Sequence, residues 1–244
     1  MKASPEAQRR LLDLQAVDTA LAQLAHKRKS MPELAEIDTV SRELSALEDE
    51  RVRAQVAVDD LDRDISRFEK DIEQVRLRKE RDQARLDAGG ALREIEGLQH
   101  ELATLNRRQS ELEDSELELM EQRETAEAAL NEVRSRLDAA STRRAAAEQR
   151  RDEALADITK EEEFKSSSRG PLAADLPADL VALYDKIRLD SGLGAALFRS
   201  GRCGGCRIEL YGADLARVKA AAADDVVRCE ECRRIMVRTA ESGL

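Results

Sequence analysis

The sequence predicts a mainly α chain: a long antiparallel coiled-coil hairpin followed by a small, metal-stapled C-terminal domain. Three observations carry this. The composition is 38% charged and 2% aromatic, with no Trp, 11 Gly and 4 Pro, which suits long helices better than a compact globular core. Apolar residues recur at alternating three- and four-residue spacing through the first two thirds, with one Gly-Gly interruption at Gly89-Gly90. The only four cysteines form two C-x2-C pairs, Cys203/Cys206 and Cys229/Cys232, near the end of the chain.

In order along the chain, Ser4-Pro5-Glu6 reads as a helix start, with a capping hydroxyl, proline in the first turn and an acid at the positive end. Leu14, Val17, Leu21 and Leu24 carry one apolar stripe. Pro32 removes an amide that a continuous helix needs, and Ser30 and Glu33 have capping-box spacing, so a break is expected at 30–32. Leu44, Leu47, Ala54, Val58, Leu61, Ile65, Phe68, Ile72 and Val75 then define a helix over 33–86, about 80 Å long. Their 3.5-residue period is that of a left-handed coiled-coil seam. Gly89 and Gly90 mark a turn near 87–91. The rhythm resumes at Leu92, Ile95 and Leu98 and runs on through Leu112, Leu130, Leu137, Ala147 and Ile158. Two heptad stretches joined by so short a turn fold back antiparallel. A turn centred near 89 pairs residues whose numbers sum to about 178, bringing Phe68 near Ser110 and Leu34 near Arg144. Residues 147–165 then pack on the first helix.

Arg51, Lys79, Asp82, Gln109, Arg123, Arg144 and Arg151 fall at or near seam positions. They either reach out of a narrow seam to water or form polar layers that set its register. The apolar stripe of a two-helix hairpin stays half exposed, which leaves room for a dimer or a protein partner. His26 and His100 stand alone and mark no site. Among so many acids, nothing singles out a catalytic carboxylate pair.

Lys165–Pro171 breaks the apolar pattern and reads as a linker. The division is therefore 1–169 for the hairpin and 170–244 for a short helix plus the cysteine-bearing part. Leu180, Leu183, Tyr184 and Ile187 give that helix one apolar face, closed by Ser191-Gly192. Ala195–Phe198, Ile208–Leu210, Val226-Val227 and Ile235–Val237 read as short strands, and 213–222 as a helix. Cysteine knuckles flanked by short strands make a zinc ribbon, in which one structural Zn2+ on Cys203, Cys206, Cys229 and Cys232 supplies the stability that a small core lacks. Four thiolates fill a tetrahedral ion and leave no place for an activated water, which argues against hydrolytic catalysis. Rubredoxin-type iron is the other metal that four thiolates suit.

The net charge is −10, against unselective binding of the whole molecule to nucleic acid or acidic membranes. From Gly170 onward, 11 basic residues balance 11 acidic ones, so the hairpin carries the excess acid. No segment approaches the ~20 apolar residues that span a bilayer, and no apolar run follows the N-terminus as in a secretory signal. The expected location is the cytosol, where thiols bind metals rather than pair.

Leu183–Arg188, Cys203-Gly204-Gly205-Cys206-Arg207 and Val226–Ile235, together with Arg93–Glu101 after the turn, resemble the bacterial family of coiled-coil-hairpin proteins with a C-terminal C4-type zinc ribbon. The resemblance implies the metal role of the four cysteines. It also implies a nucleic-acid-binding or regulatory adapter, some members being linked to flagellar gene expression and the sigma-54 factor. Arg233 stands where the family usually has Gly, at a knuckle position that favours left-handed backbone.

Three functions are weighed. The first is a non-enzymatic adapter that uses rod and ribbon to bind macromolecular partners in control of gene expression. The second is nucleic-acid binding by the ribbon's basic residues, with Arg202, Arg207, Arg228, Arg233 and Arg234 as the leading candidates; Glu209, Asp214, Glu230 and Glu231 interleave with them. The third is a thiol-redox enzyme, which a metal on the thiols would preclude. The adapter is the expectation, with no catalytic residue and no membrane partner.

Overall fold

The computed structural model describes residues 1–243. Five helices and four strands follow in the order α1 (Pro5–Lys29), α2 (Pro32–Asp87), α3 (Leu92–Ala174), α4 (Ala178–Ser191), β1 (Ala195–Arg199), β2 (Arg202–Cys203), α5 (Gly212–Ala220), β3 (Val227–Arg228) and β4 (Ile235–Arg238), with a 3-10 turn at Ala240–Ser242. The mainly α hairpin with a small strand-bearing end is as expected. The chain divides into two compact units, one of Met1–Leu34 with Gln149–Leu244 and one of Ala35–Glu148.

The Ala35–Glu148 unit holds the middle of the hairpin. Val40, Leu47 and Ala140 are buried together with Leu44 and Leu137 packed beside them. Further along the seam Val58, Leu98, Leu112, Leu130 and Val133 are buried. The turn lies where Gly89 takes a φ of +77°, a conformation that costs other residues about 1 kcal/mol or more. Near the turn the expected pairing holds within one residue, Arg85 with Glu94 and Arg78 with Glu101 having numbers that sum to 179, but further along the hairpin it shifts by about a heptad. Cross-hairpin pairs Asp62–Arg123, Glu50–Arg136 and Glu43–Arg143 have numbers summing to 185 or 186 rather than 178. Leu92, in the first turn of α3, is 74% exposed. A heptad repeat reads equally well after a seven-residue slip, so the stripe alone could not fix the register. Both readings of the polar seam residues are realised. Lys79 donates to Gln109 across the seam at 2.8 Å, and Asp82 is buried. Arg51 and Arg144 instead turn to acids on their own helices.

The other unit gathers both ends of the chain. Ser4 caps α1, its Oγ accepting from the Ala7 amide at 3.1 Å. The break at 30–32 is present, but Ser30 does not open α2 as a capping box. Its hydroxyl donates back to the His26 carbonyl at 3.0 Å and closes α1. Met31, buried with Leu24 and Ile158, pins the break. The linker expected at 165–171 is helix: α3 runs through it to Ala174. Ser167 and Ser168 donate to the Phe164 carbonyl at 2.8 and 3.0 Å, and Pro171 forfeits only one amide near the helix end. Arg169, inside this stretch, donates to Asp18 at 2.8 Å and to Asp185 at 2.6 Å, tying α3 to α1 and α4. The expected 169/170 boundary thus falls inside a helix.

The sheet order is β2-β1-β4-β3, with β1 and β4 parallel and the outer pairs antiparallel. Side chains of β4 alternate, as strands require. Ile235 and Val237 face a core with Leu11, Leu14, Leu180, Tyr184 and Ile187 from α1 and α4. Met236 faces the opposite core with Phe198, Val218, Val227, Cys203 and Cys229. Ile208–Leu210, expected as a strand, makes only an isolated bridge, Glu209 to Arg202.

Candidate metal centre

Two knuckles of the same construction build the site. In the first, the Arg207 amide donates to the Cys203 carbonyl at 2.7 Å and the Cys203 amide to the Ile208 carbonyl at 3.0 Å. In the second, the Arg233 amide donates to the Cys229 carbonyl at 2.9 Å and the Cys229 amide to the Arg234 carbonyl at 3.0 Å. The residue after each closing cysteine is left-handed: Arg207 has φ +64° and Arg233 has φ +62°. The strain foreseen at Arg233 is thus matched at Arg207, which is related to it by the internal symmetry of the two C-x2-C pairs. Gly204 presses on β1 so closely that a Cβ there would lie 2.6 Å from the Leu197 carbonyl oxygen, which keeps that knuckle tight.

The knuckles bring all four thiols together, their sulfurs all within 4.8 Å of one another. Cys203 and Cys232 are 3.7 Å apart and Cys206 and Cys229 3.9 Å. Four sulfurs about 2.3 Å from one tetrahedral ion would stand about 3.8 Å apart, the spacing of these two pairs, so the donor set suits zinc. Burial, partly offset by the amides of Cys206 and Gly205, pushes the Cys203 thiol up to about 12. Burial also raises Cys229. At Cys232 burial acts the same way, but the Arg234 amide and the neighbouring thiols outweigh it and hold that thiol below its usual value. Protons on the raised thiols must leave when a metal enters, so affinity increases with pH.

The candidate arginines have separate fates. Arg202 pairs with Glu209 at 2.9 Å. Arg228 donates to the Arg233 carbonyl at 2.8 Å. Arg234 is half-buried, reaches the Ser191 carbonyl at 3.0 Å and packs on Gly205, so it serves the fold. Arg207 and Arg233 are exposed, and among the described residues no acidic side chain forms an ion pair with either. Arg217 pairs with Glu230 and Asp214, and Arg238 donates to carbonyls at the end of α5. His26 and His100 are exposed on the hairpin helices.

Sequence reasoning missed how α1 holds this domain. Gln15 Oε1 accepts the amides of Gly194 at 2.7 Å and Ala195 at 3.2 Å. Gln8 donates to the Ala3 and Ala223 carbonyls. Asp18, 4% exposed, accepts from Tyr184 at 2.8 Å as well as from Arg169, with Arg188 at 3.3 Å. Three polar residues on one helix face, Gln8, Gln15 and Asp18, were the available signal: their seven- and three-residue spacing matches the stripe of Leu11 and Leu14.

Fold and site together define a coiled-coil hairpin protein carrying a C4-type zinc ribbon. Residues 14–192 match the family model of the CT398-like coiled coil hairpin domain, and residues 202–236 match that of the C4-type zinc ribbon domain. The chain belongs to the CT398-like hairpin family. An uncharacterized protein of Mycobacterium tuberculosis is 41% identical over 239 residues, 98% of each chain. One of Mycobacterium leprae is 29% identical over 222 residues, 91% of this chain and 96% of that one. A solved Mycobacterium smegmatis structure superposes with a TM-score of 0.89 at 38% identity, covering 98% of this chain and all of the other. CT398 of Chlamydia trachomatis shares the fold, with a TM-score of 0.69 at 20% identity over 96% of this chain and 98% of its own. No helix is long and apolar enough to cross a membrane.

Proposed function

We propose that the protein is a non-enzymatic adapter of the cytosol, in which one structural zinc ion shapes the ribbon and the hairpin offers a surface to a protein partner in the control of gene expression. The closed donor set carries this reading. Four convergent cysteine sulfurs would complete a tetrahedral ion and leave it no position for a reacting water. On α2, Val52 and Val56 are each 48% exposed and lie one helical turn apart, an apolar spot for a partner. The test is affinity purification from native cytosol with the intact chain and with Val52→Glu/Val56→Glu. A protein retained by the first and lost with the second supports the reading, and equal recovery removes the hairpin from it. Elemental analysis should return about one zinc per chain, and none after Cys203→Ser.

A second reading, nucleic-acid binding by the ribbon, has its own support in the exposed Arg207, which forms no ion pair among the described residues, and in Tyr211, 68% exposed. Its signature is affinity that falls steeply as salt rises.

A further inference from the structure

The geometry points to a phosphate-binding pocket on the first knuckle, formed by Arg199, Arg202 and Arg207, that takes a backbone phosphate of a single-stranded nucleic acid beside a base stacked on Tyr211. It rests on the second reading above and gives it an address.

Backbone conformation assembles the pocket. Strand β1 ends at Arg199, and the chain reverses through Ser200 and Gly201, with φ of +47° and +75°. It returns at Arg202 and reaches Arg207 at the end of the knuckle in a left-handed conformation. The three arginines surround a depression of about 370 Å³ whose remaining walls are Ser200, Cys203 and Gly204. That volume lies within the range of small-ligand sites. Gly204 cannot carry a side chain without striking β1, so this part of the wall stays bare backbone.

Charge separates this pocket from an ordinary basic surface. Arg207 has no ion pair among the described residues. Arg199 stands 3.6 Å from Glu241, with the two side chains 69% and 64% exposed. Arg202 pairs with Glu209 at 2.9 Å, the two side chains being 63% and 35% exposed. Exposed pairs of this kind contribute little and exchange partners readily, whereas planar guanidinium groups bind phosphate through paired donors. Three cations face two acids there, Glu241 and Glu209. A metal with four thiolates would be a local dianion, and the arginines also screen it, so the variants must separate the two roles.

The neighbouring ring decides the kind of phosphate. Glu209 accepts from Arg202 at 2.9 Å, and the nearby Tyr211 hydroxyl helps hold the same carboxyl below its ordinary value, so pocket and aromatic ring are neighbours. Tyr211 lies largely in solvent, where its face is free. A phosphate site next to a free aromatic ring suits a single strand, whose unpaired bases stack on rings without regard to sequence. A duplex keeps its bases stacked inward.

The experiment measures binding of the zinc-loaded full chain to a fluorescein-labelled single-stranded 12-mer by anisotropy, between 50 and 300 mM salt. The informative variant is Arg207→Gly. Glycine prefers the left-handed backbone there, so lost binding cannot be ascribed to strain, and zinc content read on the same samples shows that the knuckle is intact. Arg207→Gly and Arg202→Ala should each weaken binding about tenfold and lower the slope of log affinity against log salt by about 0.7. Tyr211→Ala should weaken binding comparably and leave the slope unchanged. Arg207→Lys should restore most of the slope, and Arg63→Ala on α2 should change nothing. A 12-mer duplex should bind more weakly than the single strand, and inorganic phosphate should compete only at millimolar levels. If Arg233→Gly alone reduced binding while Arg207→Gly did not, this pocket would be wrong and the nucleic-acid reading would survive. Absence of binding by the unaltered protein would end both, and zinc loss in Arg207→Gly would assign that arginine to screening the thiolates instead.

Discussion

The two compact units solve the stability problem in opposite ways. The Ala35–Glu148 unit repeats one motif, apolar residues at heptad spacing along a two-helix seam, and its cross-hairpin ion pairs are mostly exposed. Each layer there contributes a little and none is indispensable. The unit made from both chain ends depends on a few concentrated points: four sulfurs within 4.8 Å, a buried Asp18 shared by α1, α3 and α4, and a strand covered on both faces. Repetition yields stability that is spread out but a register that is poorly defined. Concentrated polar and metal contacts yield a unique arrangement that one substitution can undo.

The comparison is most sharply tested by metal removal. Chelation or Cys203→Ser should abolish hydrogen-exchange protection at the Arg207 and Arg233 amides and in α5, and leave amides around Leu47 and Ala140 protected to the same degree. Uniform loss in both units would show that the metal governs the whole chain.

Next in size is the Asp18 contact. Asp18→Ala leaves the Tyr184 hydroxyl without its acceptor and Arg169 and Arg188 with Asp185 alone, and should cost about 3 kcal/mol. Glu43→Ala, which breaks the exposed pair with Arg143, should cost under about 0.5 kcal/mol. Denaturant titration of the two variants measures the ratio, and similar costs would erase the distinction between the units.

The same contact predicts a pH dependence. Burial, with the Asp18 carboxylate beside it, raises the Tyr184 phenol well above its ordinary value of 10.0. The unfolded chain then ionises first, so the contribution is complete below pH 10 and is lost as pH climbs further. The loss approaches about 1.4 kcal/mol per unit at its steepest. Tyr184→Phe should flatten the stability profile above pH 10 relative to the parent.

The smallest expected effect is a gain. Arg233→Gly relieves a left-handed residue and should stabilise the knuckle by about 1 kcal/mol, seen as slower zinc transfer to a competing chelator. Unchanged transfer would mean that the knuckle tolerates its arginine without strain.

What the sequence made legible follows the same division. Heptad spacing announced the hairpin, and the glycine pair its turn, because both are local signals. The C-x2-C pairs announced the sulfur cluster because knuckle geometry is set by the intervening residues. Register away from the turn was not legible, since Leu44 or Leu47 fits a slot one heptad away nearly as well. The serines at 166–168 looked like a linker because their intrinsic preference is for turns. Arg169, bound to an aspartate 151 residues distant, overrides that preference. Gln15 appeared to be an ordinary polar position because its partners, Gly194 and Ala195, lie 179 and 180 residues further on.

Those last separations bear on synthesis. The helix bearing Leu11 and Leu14 leaves the ribosome long before Leu180, Tyr184, Ala195 and Ile235, which enclose them. While the intervening stretch is translated, an oily face waits without its cover. A message cut short before codon 176 would yield a chain that never hides it, a species suited to capture by chaperones or to clumping with its siblings.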